Sequence, residues 1–259
     1  MPGPTRTNRN RTPGERLLKD DVLTQGGKGG RLVTLNVRGL LDATKLSMLV
    51  STLKTIKWDV LCLQDTHFIL EKEARRAAIA LGGKKCKWAF APGQSHRDGL
   101  LAITREETKI IEHEVDKSER TTPGAWLRTR IIIKETTVDI INAYAPRVGG
   151  PRKQFLKDLP EKLNDTDTNR TIPQILAGDF NVVLDCANDR INCATVHTPV
   201  GKEELNTKTA QNGLSDSYRL RHEGPAWTWK GGTNGKRRTL LDRIFIDDTL
   251  TTRISLVNT

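Results

Sequence analysis

The sequence predicts one α/β domain, and three observations carry that expectation. Short apolar runs rich in β-branched residues alternate with segments of helical apolar spacing from about residue 31 to residue 246. Strands and helices are mixed along that whole stretch, as a single layered domain requires. A chain of 259 residues with no internal repeat has room for one such domain.

The elements follow in order. Residues 1–30 are rich in Arg, Gly, Pro and Thr and lack apolar periodicity, so they read as a disordered basic arm or linker. A linker to a neighbouring domain is preferred over a phosphate-touching tail. The run at 31–37 is a strand by its β-branched content. Leu46, Leu49, Val50 and Leu53 recur at helical spacing, which predicts a helix over 45–56. Residues 58–64 read as a buried strand. A helix over 71–81 ends at Gly82-Gly83, a usual stop signal. Residues 99–104 form a strand, and 126–134 and 138–145 a strand pair. A helix over 152–163 is kinked or broken by Pro160. A strand over 172–177 and a helix over 203–212 follow. The segments 227–229 and 240–246 read as a hairpin around Lys230-Gly-Gly-Thr-Asn-Gly-Lys-Arg-Arg.

Charge narrows the partner. Lys plus Arg number 42 against 31 Asp plus Glu, and the net charge of +11 favours polyanions, nucleic acid first among them. No apolar run approaches the ~20 residues that span a bilayer, and residues 1–16 contain no apolar segment of a secretory signal. Cys62, Cys86, Cys186 and Cys193 form no CxxC pair, which gives zinc little support. Cys62 lies in an apolar run as a buried free thiol, and a reducing compartment, cytosol or nucleus, fits.

Polar residues gather where buried strands end. Asn36 follows Leu-Val-Thr-Leu, and Gln64-Asp65-Thr66-His67 follows Val-Leu-Cys-Leu. Asn142 and Tyr144 close Val-Asp-Ile-Ile, and Gly178-Asp179-Phe180-Asn181 follows Ile-Leu-Ala. Strand ends are where α/β folds build sites. One such end is explained by a turn or a cap; four offering carboxylate, amide or phenol point to chemistry. Mg²⁺ takes oxygen ligands, few of them protein carboxylates, and Asp65 and Asn36 suit it. Asp179 and Asn181 lie two apart, so on an extended segment they face one side and would orient and deprotonate a water for attack on phosphorus.

At these residues the chain resembles the endonuclease/exonuclease/phosphatase superfamily, in its apurinic/apyrimidinic-endonuclease-like branch. The motifs are Leu35-Asn36-Val37-Arg38-Gly39-Leu40, Leu63-Gln64-Asp65-Thr66-His67, Asn142-Ala143-Tyr144-Ala145-Pro146, Gly178-Asp179-Phe180-Asn181 and Leu241-Asp242-Arg243-Ile244-Phe245. Asp189-Arg190, Asp216-Ser217-Tyr218-Arg219 and Trp227-Thr228-Trp229 look like the endonuclease domains of non-LTR retrotransposons. The resemblance implies a four-layer α/β sandwich, two mixed sheets face to face with helices outside. It implies Mg²⁺-dependent nicking of double-stranded target DNA, with Mn²⁺ as a substitute, leaving a 3′-OH primer for a linked reverse transcriptase, and hence work in the nucleus. By position it puts Asn36 and Asp65 at the metal, Tyr144 at the scissile phosphate, Asp179 on the attacking water, Asn181 orienting it, and Asp242 beside a histidine. It puts Lys230, Lys236, Arg237 and Arg238, in the hairpin, on DNA.

Three departures accompany the match. Asp65 stands where the family usually has Glu, which draws the carboxylate back by about one methylene. Arg147 stands where an Asn is frequent. The family's closing Ser-Asp-His motif is absent from a sequence whose last residues are Arg253-Ile-Ser-Leu-Val-Asn-Thr259, so the domain over 31–259 is expected to be C-terminally truncated and weakly active or inactive. His67 reads as a structural neighbour, and Trp227 and Trp229 as core residues. Two other functions remain open. One is a phosphoesterase for another substrate, such as an inositol phosphate or sphingomyelin; the other is a DNA-binding module whose catalysis is lost.

Overall fold

The computed structural model describes residues 23–24, 30–94, 97–115, 125–133, 135–162, 164, 169–192, 199–231, 237–253 and 255–256. The strands are β1 (Leu23–Thr24), β2 (Leu32–Asn36), β3 (Val60–Gln64), β4 (Lys87–Ala91), β5 (Leu100–Thr104), β6 (Lys109–Val115), β7 (Ala125–Ile133), β8 (Thr136–Tyr144), β9 (Gln174–Asp179), β10 (Arg190–Ile191), β11 (Leu214–Asp216), β12 (Trp229–Gly231), β13 (Arg237–Thr239), β14 (Asp242–Asp247) and β15 (Ser255–Leu256). The helices are α1 (Ala43–Lys54), α2 (Glu71–Gly82), α3 (Gly149–Lys157) and α4 (Lys202–Gln211), with a 3₁₀ turn at Asp248–Arg253.

Two sheets carry the architecture. One has the order β2-β3-β5-β4 and the other β11-β14-β9-β8-β7-β6. Each is mixed: β2 runs parallel to β3 and β8 parallel to β9, while the other neighbours are antiparallel. Alternation along the strands explains the layering, because successive side chains point to opposite faces. Leu32, Val60 and Cys62 of the first sheet meet Ile140, Ile175, Ala177, Ile244 and Ile246 of the second. Their sequence neighbours Val33, Leu61, Leu63, Leu101 and Ile103 face outward and pack under α1 and α2 through Leu46, Leu53, Ala74, Ala77 and Ala78. On the far side Ile141, Ala143, Leu176 and Phe245 pack under α3 and α4 through Phe155, Leu156 and Leu205. The molecule is thus the expected four-layer α/β sandwich. Each buried Leu or Ile adds roughly 1.5–3 kcal/mol over an exposed one, and central strands carry such residues on both faces.

The helices end where their sequences dictate. Asp42 caps α1 by accepting from the backbone N–H of Lys45 at 2.7 Å. The Glu73 carboxylate accepts from the backbone N–H groups of Ile69 and Leu70 and fixes the start of α2, and Gly83 stops it. The helix expected over 152–163 instead spans Gly149–Lys157. Pro151 fits its first turn, where no intrahelical partner is needed, and Pro160 disfavours helix for the residue before it.

Two other expectations change. The partner of β12 is β13, and β10 pairs with β13 as a third strand, whereas β14 joins the six-stranded sheet between β9 and β11. Ile244 and Phe245 are buried on opposite faces of β14, which a two-stranded ribbon would leave exposed. Within the segment read as a disordered arm, Leu23–Thr24 pairs antiparallel with Ser255–Leu256. Residues 1–22 and 25–29 lie outside the described residues.

Candidate active site at one end of the sheet seam

The inward-facing register of the two sheets is apolar along most of its length and turns polar at one end. On β2 it passes from Leu32 to Thr34 to Asn36, and on β3 from Val60 to Cys62 to Gln64. On β8 it passes from Ile140 to Asn142 to Tyr144, and on β9 from Ile175 to Ala177 to Asp179. Gln64 bridges the sheets, its Nε2 donating to Asn142 Oδ1 at 2.6 Å and to Thr34 Oγ1 at 2.9 Å. Asn142 Nδ2 donates to the Leu63 carbonyl at 3.1 Å. This fully buried amide layer is the floor of the site.

Above it, three neighbouring strands bring three predicted residues side by side. Tyr144 pairs with Asp179 across β8 and β9, and Asp179 with Asp242 across β9 and β14. From the opposite sheet Asn36 Nδ2 donates to Asp179 Oδ2 at 2.8 Å. Gly178 makes this proximity possible: at φ 147° a Cβ there would lie 1.9 Å from the Ala143 carbonyl oxygen. Asn181 does not follow the extended geometry expected of an i, i+2 pair. Its φ is 51°, its backbone N–H donates to Asp179 Oδ1 at 2.9 Å, and its Nδ2 donates to the Ala145 carbonyl at 2.8 Å. Asp179 therefore closes a turn of the Asx kind as well as facing the site.

Asp65 joins this group from the turn after β3. Val37 N–H donates to the Gln64 carbonyl and Gly39 N–H to that of Asp65, so the loops after β2 and β3 run together and hold Asn36 near Asp65. Arg38, Asp65, His67, Asp98 and Asn181 all take positive φ. Such backbone is costly for non-glycine residues and tends to cluster at functional sites. His67 Nε2 lies 3.1 Å from Asp65 Oδ1. Gly39, at φ 80°, leaves room for that imidazole, since a Cβ would approach its Nδ1 to 2.7 Å.

Burial sets the protonation states. The Tyr144 hydroxyl is pushed up to about 12 by desolvation and by Asp65 and Asp179, so it remains a donor. Desolvation also raises Asp179, opposed by its hydrogen bonds from Asn36 and Asn181 and by the charges of Arg147 and Arg38. Asp242 is pushed up to about 7 by burial and then by Asp179. Its Oδ1 is buried with no hydrogen-bond partner among the described residues. It does not pair with Arg243, whose guanidinium is bound by Asp189 and Asp216.

Some participants were not singled out as site residues in the sequence. Arg147, three residues after Tyr144, lies 3.8 Å from Asp65 Oδ2, and its charge also acts on the Tyr144 phenol. Thr228 Oγ1 accepts from the backbone N–H groups of Leu241 and Asp242 and thereby ties the root of the hairpin to the site. Lys45 Nζ donates to the Arg38 carbonyl at 2.8 Å. Arg147 had one signal, its departure from the family pattern, and Thr228 lay within the Trp227-Thr228-Trp229 motif; Lys45 had none.

The hairpin residues stand apart from the strand ends. Lys230 and Arg238 are register partners across β12 and β13, Arg237 is exposed, and Lys236 lies outside the described residues. The Arg238 guanidinium sits over the Trp227 ring, 5.0 Å from its centroid. The Asp189 and Asp216 motifs have a structural use: Asp189, fully buried, binds Arg243 and also Arg219 at 2.5 Å. Cys62 is a buried free thiol, as expected, with its acidity pushed to about 12, and Cys193 lies outside the described residues.

No group of three or more His, Cys, Asp or Glu among the described residues is placed to hold a metal ion. A Mg²⁺-type ion needs only one or two protein carboxylates, with water and phosphate completing its shell. The Asp65 carboxylate and the Asn36 amide oxygen are hard donors of that kind, and the residues fit such an ion.

Comparison with known proteins gives the family of the fold. The model of the Endonuclease/Exonuclease/phosphatase family matches residues 33–259. The Transposon TX1 uncharacterized 149 kDa protein of Xenopus laevis is 26% identical over 230 residues, covering 85% of this chain. The match spans only 16% of that protein's length. Among solved structures, the Xenopus laevis APE2 catalytic domain superposes with a TM-score of 0.62 at 18% identity, covering 86% of this chain and 83% of that one. A 3′ phosphatase, NExo from Neisseria, bound to a product DNA hairpin, superposes with a TM-score of 0.61 at 17% identity, covering 85% and 88%. With a family match over nearly the whole described chain and the family's sandwich beneath it, this chain belongs to the endonuclease/exonuclease/phosphatase family.

Proposed function

We propose that this chain is a metal-dependent endonuclease domain that nicks double-stranded DNA to begin retrotransposition. The carrying observation is the row Tyr144, Asp179 and Asp242 on three adjacent strands, with the Asn36 amide hydrogen-bonded to Asp179 from the facing sheet. Members of the family hydrolyse phosphodiester or phosphate bonds. The likeness to a transposon protein and the net charge of +11 favour DNA within that range.

In this reading Asp179 takes a proton from water as the water oxygen bonds to phosphorus and the P–O3′ bond breaks. The Asn36 and Asn181 N–H groups hold the carboxylate in place and leave lone pairs on both oxygens. Tyr144, kept protonated, donates to the oxygen on which negative charge grows. Asp65 and Asn36 would hold Mg²⁺ or Mn²⁺, which supplies positive charge to the phosphoryl oxygen. The buried Asp242 Oδ1, without a hydrogen-bond partner among the described residues, suits a ring N–H donor, and we propose a histidine as that donor in the active enzyme. A linked reverse transcriptase and a nuclear site of action belong to the same proposal.

The test is relaxation of supercoiled plasmid with Mg²⁺ or Mn²⁺, by this chain and by one extended with native residues. Nicking that is abolished by EDTA and raised by the extension supports the reading. Undiminished cleavage in EDTA overturns the metal site. Release of phosphate from a 3′-phosphorylated oligonucleotide without nicking replaces the endonuclease with a phosphomonoesterase. An extended chain that binds DNA and cuts nothing is a binding module.

A further inference from the structure

Arg147 stands out among the groups around the site, for three reasons. Its backbone is anchored: it follows Pro146, and its carbonyl accepts from Arg152 at 2.8 Å. Its side chain is largely exposed, at 68%. Its guanidinium nevertheless reaches inward, lying 3.8 Å from Asp65 Oδ2, with the Tyr144 hydroxyl and Asp179 also in its field. Its charge thus lies beside both Asp65 and Tyr144, two of the groups that the proposed reaction uses.

We propose that Arg147 is a phosphate-sensing residue that couples metal binding to DNA binding. Without DNA, the guanidinium neutralises Asp65 and competes with a divalent cation for that carboxylate. A phosphodiester entering beside Tyr144 offers the planar fork a better partner, because two parallel N–H···O bonds match phosphate geometry. The guanidinium then turns outward to the strand, Asp65 is released, and the cation binds. Coupling of this kind is reciprocal, so metal must raise DNA affinity by the same factor. A neutral residue at 147 would accept or donate hydrogen bonds but would exert no charge on Asp65. The device therefore depends on this chain's arginine. It also keeps a nuclease site unloaded until substrate is present.

The inference rests on Asp65 being a metal ligand, and the experiment separates the two claims. Free Mn²⁺ is measured by electron paramagnetic resonance for the wild type, Arg147→Ala, Arg147→Lys and Asp65→Asn. Each is measured with and without a short duplex, after correction for Mn²⁺ held by the duplex alone. Thermal unfolding of each variant checks the fold, and an exposed side chain is expected to tolerate replacement. Arg147→Ala should bind Mn²⁺ at least ~5-fold more tightly than wild type without DNA, the low end of ordinary coupling. The duplex should raise Mn²⁺ affinity in the wild type and much less in Arg147→Ala. Arg147→Lys, which keeps the charge and loses the fork, should lie between them. Arg147→Ala binding Mn²⁺ no more tightly than wild type overturns the coupling while Asp65 remains a ligand. Unchanged Mn²⁺ affinity in Asp65→Asn overturns both claims.

Discussion

At the residue scale, two carboxylates on adjacent strands differ in their hydrogen-bond partners. Asp179 accepts from Asn36 and Asn181 and keeps lone pairs free, as a base for water requires. General bases usually contribute ~10²–10⁴-fold, so Asp179→Ala should cut nicking by that order in single-turnover assays while DNA affinity stays near the wild-type value. A parallel fall in binding would make it a structural residue. Asp242 has no such partners at Oδ1. Its folded-state acidity, about 7, lies above its ordinary 3.8, so its favourable contribution is complete below about pH 4 and is lost as pH rises through about 7. Asp242→Asn keeps the volume and removes the charge. Relative to wild type, its melting temperature should rise between pH 5 and pH 8, with a gain on the order of a few kcal/mol at the alkaline end. A difference that does not grow with pH would mean that the carboxylate is partnered in solution.

At the scale of elements, the hairpin β12–β13 presents Lys230, Arg237 and Arg238 on a short ribbon rooted at the site by Thr228. If these cations neutralise phosphates, DNA affinity falls with salt at a slope of roughly −0.9 per contact. Arg237→Ala with Arg238→Ala should weaken binding and flatten that slope by one to two contacts in fluorescence anisotropy; an unchanged slope makes the hairpin a bystander. Arg238 also lies over Trp227, so Arg237→Ala alone isolates charge from packing. The elements differed in how much local sequence revealed. The helix ending at Gly82-Gly83 and the buried strands before Asn36, Asp65 and Asp179 were readable because their signals are local. β4 and β6 were not. The β6 strand, Lys-Ile-Ile-Glu-His-Glu-Val, is mostly exposed at the sheet edge, and a bulge between Ile110 and Glu112 breaks the alternation that would reveal it. The expected hairpin paired 227–229 with 240–246 and left β13 within the turn, because apolar content at 240–246 is silent on which sheet will bury it.

At the scale of the whole molecule, a buried ionic cluster joins the hairpin sheet to the six-stranded sheet. Arg243 of β14 binds Asp189, just before β10, and Asp216 of β11, while Arg219 completes the charge balance on Asp189. The Leu240 N–H also donates to the Asp189 carbonyl. Removing one partner from a buried pair typically costs ~3–5 kcal/mol because the other is left unpaired. Arg243→Met should lower stability by that order in chemical denaturation. A loss under 1 kcal/mol would mean that the cluster is hydrated in solution.

The fold class was legible in the alternating runs alone, and so was the gathering of Asn36, Tyr144 and Asp179 at strand ends. An alternating strand that ends in a polar residue commits that residue to the same face as the apolar ones before it. Asn36, Tyr144 and Asp179 were therefore bound for the seam once their strands paired. Which polar groups meet depends on the assembled sheets. Asp189 to Arg243, Gln64 to Asn142 and Arg147 to Asp65 join residues from different elements. Their pairing depends on register and sheet order, which no local pattern encodes. Asn181 belongs here too. Its spacing from Asp179 suggested an extended pair, but β9 ends at Asp179, and with no further strand partner the backbone turns back to satisfy its own donors.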